Sequence, residues 1–439
     1  MTREMQADVV VAGCGVAGTF AALAAARSGL RTVVVERFGM VGGNMGPGYL
    51  QGGSLTYDAS IAGGLNTTLA REFLDRLSAL RAGAPATYDR EASAASHVAG
   101  KMLIEAGVVP LLSAYAGDPV VEDGLFRALR VETASGARLV RARVLIDATG
   151  EAAVAARAGC PMLRPDDPRS PEELDAIERI KPMYPEFSGA EVARFMGVPS
   201  MGGYALIGGA TQPVEGVSRD QYDSLRRVLT PPSGRQIDVH FSAGKCSVPG
   251  LAALRVEIKN VADASDADFL GWLELHARAA VFEAVEQMRR ELPGWRQACL
   301  VMFSPFLGSR GGTCIRGGHV FDARDVLARR RFEDVIYVMA LVDDAGEQIG
   351  VECDVPWRIL VPQGIDGILC VGRGASQRRL LRTRPNCILQ GHAAGLAAAV
   401  ARQAGRSIRS VSMPDLQRRL LREGFHLGDA ARHRELGIV

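Results

Sequence analysis

The chain has 439 residues, 47% of them apolar, and a net charge of +2; this is enough for a large core and two domains, one of them discontinuous. Without a run of about 18 or more apolar residues no membrane span is expected, and the balanced charge argues against nucleic acid as a main partner. Fifty glycines without a collagen period point to tight turns and close backbone approaches to a bulky ligand, while eight scattered cysteines without a CxxC pair point to reduced, mostly buried thiols.

The first predicted element is a buried parallel strand over Val9 to Ala12. Gly13, Gly15 and Gly18 follow, with Val16 and Ala17 opening a helix that runs through Ala21–Ala26 and stops near Gly29. Gly13 permits a tight turn, Gly15 lets backbone approach a pyrophosphate, and Gly18 allows close packing of helix on sheet. The helix N-terminus offers free N–H groups to the phosphates. A second strand, Thr32 to Val35, ends at Glu36, whose carboxylate can accept from ribose hydroxyls and repels a 2′-phosphate. This is a dinucleotide grip, and NADP does not suit it.

Residues 37–66 are rich in glycine: Gly42, Gly43, Gly46 and Gly48, then two Gly-Gly pairs. A loop this permissive after the ribose carboxylate suits an extended FAD better than NAD; the alternative is a plain surface loop. Helices are predicted over 65–82 and 97–106, then a strand near 108–112. Residues 119–146 alternate as a small antiparallel unit. The core strand Val144–Asp147 then ends in Ala148-Thr149-Gly150, a turn back to the cofactor side.

Residues 161–200 show weak periodicity and are read as helices or lids over a pocket. Val239 to Lys245 is strand-like. Residues 268–290 form an amphipathic helix, with Leu270, Leu273, Phe282, Val285 and Met288 as its expected buried side. The run from Phe306 to His319 combines permissive backbone with Arg310 and Arg316, which could hold a carboxylate, a carbonyl oxygen or a flavin edge, or form structural salt bridges. Tyr337-Val-Met and the stretch from Val351 to Ile359 precede Leu360-Val-Pro362-Gln. A buried strand ending in Gly372-Arg373-Gly374 comes next, then Arg382 and Arg384. The closing helix, 387–401, has Gly391 and Gly395 on one face and is expected to bring its N-terminus to the flavin. The two ends of the chain are thus expected to form one cofactor domain with the middle inserted above it.

These pieces together resemble the FAD-dependent oxidoreductases related to the flavin domains of fumarate reductase and heterodisulfide reductase, over roughly residues 7–425. Four motifs carry the likeness: Gly13 to Gly18 with Glu36-Arg37 and Gly42-Gly43; Asp147 to Gly150; Gly308-Ser-Arg310 with Arg316; and Val371-Gly372-Arg373 with Gly391 to Ala394 and the alanines beyond. The resemblance implies an α/β fold with a discontinuous Rossmann-like FAD-binding domain of the glutathione-reductase type and an inserted mixed α+β cap. The expected boundaries are 1–160 and 351–439 for the FAD domain and 161–350 for the cap. It further implies that Gly13, Gly15 and Gly18 flank the pyrophosphate, Glu36 binds the ribose, Gly42, Gly43 and Asn44 line the cofactor path, and Gly372 and Arg373 lie by the ribityl and phosphate portion. Three departures surround the ring region: Glu151-Ala-Ala after the Asp147 turn, Ser309-Arg310-Gly-Gly in place of a denser arginine run, and His392 where glutamine is common.

The expected chemistry is hydride transfer between flavin N5 and a small organic substrate bearing a carboxylate or carbonyl. Arg310, Arg316, Arg382 and Arg384 are the candidate anchors. His319, His240, Tyr204 and Lys245 are the proton-transfer candidates, in that order. Rival readings are an FAD monooxygenase or oxidase using oxygen, and a non-catalytic FAD-binding subunit. The redox partner is left open among oxygen, a quinone, nicotinamide and a carrier protein. No metal site is expected. With the dinucleotide strand starting at Asp8, no targeting segment and a cytoplasmic location are expected, and chain size is compatible with a homodimer.

Overall fold

The computed structural model describes residues 3–46, 60–81, 88–165, 167–180, 200–211, 216–244, 246, 248–261, 266–342, 348–378 and 380–439. The chain begins β1 (Arg3–Gln6), β2 (Val9–Ala12), α1 (Val16–Arg27), β3 (Thr32–Glu36), α2 (Thr68–Arg81), α3 (Tyr88–Glu105), β4 (Val109–Leu112), β5 (Tyr115–Glu122), β6 (Leu125–Glu132), β7 (Arg138–Arg141) and β8 (Val144–Asp147). It continues through α4 (Ala153–Arg157), β9 (Met162–Leu163), α5 (Pro171–Arg179), β10 (Met201–Gly208), α6 (Arg219–Ser224), β11 (Arg227–Leu229), β12 (Ile237–Gly244), β13 (Leu251–Lys259), α7 (Ala267–Glu291) and β14 (Cys299–Phe303). Last come β15 (Gly308–Ser309), β16 (Cys314–Ile315), α8 (Ala323–Leu327), β17 (Val335–Val342), β18 (Gln348–Pro356), β19 (Ile368–Cys370), α9 (Arg384–Gln403), α10 (Met413–Arg422) and α11 (Ala430–Glu435).

A parallel sheet in the order β19-β8-β2-β3-β4 organises the first unit. Its central strands are buried at every position because both faces are covered. Val9, Val11, Val34 and Ile146 pack on one side into a core with α1 and α9. Val10, Ala12, Val33, Val35 and Leu145 pack on the other, into a core with Phe126, Leu129, Val131 and Val140 of the second sheet, β1-β7-β6-β5. The unit therefore has three layers: helices, parallel sheet, and a four-stranded sheet in which β5, β6 and β7 are antiparallel. β19 lies at the end of the parallel sheet beside β8, although Asp147 and Ile368 are about 220 residues apart in the chain, so the N-terminal and C-terminal parts of the chain share one sheet.

The second unit is an antiparallel sheet, β11-β12-β13-β10-β14, with β15 continuing on β10 beyond β14. Alternation decides its two faces. Ile237, Val239, Phe241, Leu254, Val256, Ile258, Ala205 and Ile207 point to a separate core with α7 and Trp295. The opposite face carries His240, Ser242, Arg255, Glu257 and Tyr204, matched across the ladder as Tyr204–Arg255–Ser242 and His240–Glu257–Gly202.

The sequence reading of α7 needs one correction. Leu273, Val285 and Met288 are buried as expected, but Phe282 is 54% exposed. Ala277, Ala280, Val281 and Ala284 define the buried stripe instead, and Phe282 lies about 100° round the helix from Val281. Elsewhere the helix predicted from His97 begins at Tyr88. Much of the glycine-rich loop, residues 47–59, and the larger part of the supposed lid, residues 181–199, lie outside the described residues. No helix among the described residues is long and apolar enough to cross a membrane, and the eight cysteines form no disulfide.

Candidate functional site

Gly13 adopts φ +90° directly after β2, and a Cβ there would lie 2.6 Å from the Ala148 carbonyl oxygen. A side chain at Gly18 would collide with the Gly13 carbonyl. These two glycines let the β2–α1 turn and the β8 turn meet, so Gly13 and Ala148 sit side by side as the motif requires. Ala148 N–H donates to the Ala12 carbonyl at 2.8 Å. Thr149 N–H and hydroxyl both donate to Asp147 Oδ1, while Asp147 Oδ2 accepts from Val154 and Ala155 N–H at 2.8 Å. Asp147 and Thr149 are thus engaged in shaping the turn and starting α4.

No side chain caps α1, and no acidic residue stands in its first turn. Val16 and Ala17 open it. The N–H groups of that turn, with the positive dipole end, face the place where the Gly42-Gly43 turn crosses: Gly42 N–H donates to the Cys14 carbonyl at 2.7 Å, and a Cβ on Gly43 would lie 2.8 Å from Gly15 Cα. Glu36, buried at the end of β3, accepts from Cys14 N–H at 2.7 Å and from Phe38 N–H at 3.0 Å, one bond on each carboxylate oxygen. Each oxygen keeps a second lone-pair site for a ribose hydroxyl. An uncapped helix start, a glycine cradle and a held carboxylate are the donor and acceptor set that an adenine dinucleotide needs. The residues present fit FAD. Arg37 is exposed and lies over Phe38 and Phe306, which stack at 4.4 Å and join this loop to the second unit.

Gly372 (φ +69°) stands between Ala17 of α1 and Cys387 of α9, and its N–H donates to Gln390 Oε1 at 2.8 Å. Gln390 in turn donates to the Tyr337 hydroxyl, which donates to Asn386 at 2.8 Å. Burial pushes the Tyr337 phenol upward, so it stays protonated. Arg373 pairs with Glu151 at 2.7 Å. A Cβ on Gly150 would lie 2.5 Å from the Arg373 guanidinium, and one on Gly312 would collide with the Glu151 carboxylate. Burial pushes Glu151 up more than Arg373 pulls it down. Glu151, noticed in the sequence only as a departure, is the acidic partner of Arg373.

The candidate substrate residues divide. Arg310 leaves β15 and pairs with Glu257 at 2.6 Å; burial lowers its pKa, with Glu257 acting against that. Tyr204, on the same sheet face, is pushed up by burial and lies within electrostatic reach of Arg255, Arg310 and Arg384. Arg384 opens α9 and donates to the Asn44 carbonyl at 2.9 Å. Arg382 lies within reach of Arg310, and its Nε is buried without a hydrogen-bond partner among the described residues. Arg310 and Glu257 are thus in direct contact, and Tyr204, Arg382 and Arg384 lie within electrostatic reach of members of this group.

The others lie elsewhere. Arg316 follows β16, which pairs with β9 rather than with the cap sheet, and its side chain is exposed. His319 Nε2–H donates to Asp325 Oδ2 at 2.8 Å, and the ring packs on Phe332. Asp325 also holds Arg330 at 2.9 Å, so these contacts tie His319 to α8. His240 is on the polar face opposite Glu257, and burial lowers its pKa. Lys245 lies outside the described residues. A side chain at Gly391 would collide with the Ala17 carbonyl, and a Cβ on Gly395 would lie 2.5 Å from the Ala21 carbonyl; both glycines serve the packing of α9 on α1. Ala394 is fully buried in that same core. Among the described residues no group of three or more His, Cys, Asp or Glu could hold a metal ion. Glu257 and the Tyr337–Gln390 link were missed because their partners are distant in sequence.

Comparison with known proteins adds a family. A model described as FAD dependent oxidoreductase matches residues 8–420. No curated protein matches. Among solved structures, a geranylgeranyl bacteriochlorophyll reductase-like protein from Thermoplasma acidophilum aligns over 99% of this chain and 89% of its own, at 16% identity and a TM-score of 0.46. A flavoprotein/dehydrogenase from Cytophaga hutchinsonii aligns over 94% and 83%, at 13% identity and 0.45. A p-nitrophenol 4-monooxygenase from Pseudomonas putida aligns over 99% and 92%, at 12% identity and 0.41. With the family model spanning the glycine cradle, the cap sheet and the closing helix, the chain belongs to the FAD-dependent oxidoreductase family and is a flavoprotein whose cofactor is FAD.

Proposed function

We propose that this flavoprotein transfers a hydride to or from a small organic substrate that presents a carboxylate or a carbonyl oxygen. Arg384 carries the reading: it bonds the Asn44 carbonyl on the glycine loop and lies within electrostatic reach of Tyr204 on the cap sheet. A substrate between the two units would meet both. FAD, when bound, supplies the hydride acceptor or donor at N5 of its ring.

In this proposal the Gly13–Gly18 turn and the first turn of α1 hold the pyrophosphate, Glu36 the ribose, and Gly42, Gly43 and Asn44 the middle of the cofactor. The Ala148–Gly150 and Gly372–Arg373 turns close the cradle. Because Glu257 already balances Arg310, and Arg382 has an orphaned Nε, Arg382 and Arg384 are the better anchors for substrate charge. Tyr204 is the proposed proton carrier, since its hydroxyl stays protonated among these arginines. His319 and His240 are weaker candidates: Asp325 engages the first, and the second stands two strands away from β10.

The architecture we propose is the glutathione-reductase type, discontinuous, and allied to the flavin domains of fumarate reductase and heterodisulfide reductase. The inserted cap falls within 161–350 and has its own core between Met201 and Leu307. The test is an anaerobic screen of small oxo-, hydroxy- and unsaturated carboxylates and matching uncharged carbonyls against the FAD-loaded protein, read by bleaching or recovery of the flavin absorbance. Flavin reduction or reoxidation by one class, with KM raised more than kcat is lowered in Arg384→Ala, supports the proposal. Turnover that requires oxygen and places an oxygen atom in the product would assign the protein to the monooxygenases instead.

A further inference from the structure

Helix α7 has two apolar sides. Its inner stripe packs on the cap sheet through Leu273, Ala277, Val281, Ala284, Val285 and Met288. Its outer side exposes Leu275 by 71% and Phe282 by 54%. Asp268, Leu275, Phe282 and Arg289 recur at a heptad spacing in the sequence, which falls only about 20° short of two full turns, so the four line one stripe. Gly271 and Ala279 lie beside it, and a Cβ on Gly271 would meet open space. The stripe thus has an acid at its N-terminal end, two large apolar residues in the middle and a base at its C-terminal end; alongside lie Gly271, Ala279 and Arg278, whose guanidinium is turned aside to Glu274 and the Ser304 and Pro305 carbonyls.

We propose that this stripe is the contact between two copies of the chain, with α7 of each protomer packed antiparallel about a twofold axis near Arg278 and Ala279. Under that axis Leu275 meets Phe282 of the partner subunit, and Asp268 meets Arg289 of the partner subunit. Each contact occurs twice, as a twofold interface demands. A parallel pair would set aspartate on aspartate and arginine on arginine, and would align the two helix dipoles unfavourably. The pattern complements itself only in the antiparallel sense. An anionic membrane surface suits the stripe less well, because Asp268, Glu283 and Glu286 border it. Arg289 already bonds Glu286 at 2.8 Å within the helix, so its side chain is directed along this edge. The contact would leave the polar face of the cap sheet open, since α7 covers the opposite face.

The experiment is sedimentation velocity on the full-length, FAD-loaded protein. The wild type should be a dimer at micromolar concentration, and Leu275→Asp and Phe282→Asp should each give monomers that keep their FAD and their circular dichroism. Asp268→Arg should weaken the dimer, most clearly at low salt, and the double exchange Asp268→Arg with Arg289→Asp should restore it. A monomeric wild type overturns the proposal, as does a dimer that survives both aspartate substitutions. Co-sedimentation of a monomeric wild type with anionic vesicles, lost in Leu275→Asp, would assign the stripe to a membrane surface and likewise overturn it. Failure of the substrate screen above would leave this result untouched.

Discussion

Single side chains in this protein carry tasks that their neighbours cannot share. Glu36 holds two backbone N–H groups and is the proposed ribose acceptor, so Glu36→Ala removes that acceptor and orphans Cys14 N–H and Phe38 N–H together. Charge-assisted bonds of this kind contribute about 1.5–3 kcal/mol each; a fluorescence titration of apoprotein with FAD should show Kd raised about 10-fold or more, with Glu36→Gln less affected. His392 offers a second measurement. Burial, then Arg419 and Arg27, depress its pKa to about 3, and its Nδ1 has no hydrogen-bond partner among the described residues. A depressed pKa means that the folded protein keeps the ring neutral while the unfolded chain binds a proton below about 6.5. The contribution of His392 is therefore complete above that pH and declines as pH falls toward 3. Equilibrium denaturation of wild type and His392→Gln at pH 7 and pH 5 should show the variant gaining about 2 kcal/mol relative to wild type at the lower pH. A pH-independent difference would mean that the ring is not neutral in the fold.

Between elements, α1 and α9 approach closely. The approach is set by glycine and alanine rather than by large side chains: Gly391 and Gly395 meet the Ala17 and Ala21 carbonyls. Gly391→Ala must push the helices apart at the point where α1 presents its first turn. A loss of about 1–3 kcal/mol is expected from overpacking, together with weaker FAD retention on gel filtration, whereas Gly271→Ala on α7, whose Cβ would meet open space, should leave FAD retention unchanged. The same contact explains why the glycine pair in the closing helix is spaced one turn apart: it follows the groove of α1.

At the scale of the whole molecule, the two units have separate cores, and the segment between β14 and β16 meets the first unit through the Phe38–Phe306 stack and through Gly311. Arg373 and Glu151 both belong to the first unit, and their pair supports that passage: Gly311 offers its carbonyl to Arg373, and Gly312 lies against the Glu151 carboxylate. Glu151→Ala leaves the guanidinium half-buried and unpaired. A destabilisation of about 3–5 kcal/mol is expected, measurable by denaturation of the FAD-loaded protein. If that loss is absent, Arg373 has found another anion and does not depend on Glu151.

The sequence alone determined the parts built from neighbours in the chain. The β2–α1–β3 unit, the Asp147–Gly150 turn and the closing helix were legible because strand, turn and helix signals are local, and a glycine that must adopt positive φ, such as Gly13, declares itself by its type. Even the surprise in α7 was present as the heptad of Asp268, Leu275, Phe282 and Arg289; periodicity could not say which of two apolar sides faced the cap. Tertiary structure alone decided the rest. Glu257 with Arg310 and Glu151 with Arg373 are far apart in sequence, and only the fold brings each pair together. It also separated Arg310 from Arg316, six positions on, by sending β15 to the cap sheet and β16 to β9. Charges choose partners by distance in space and by the cost of burial, and neither is written in the order of residues.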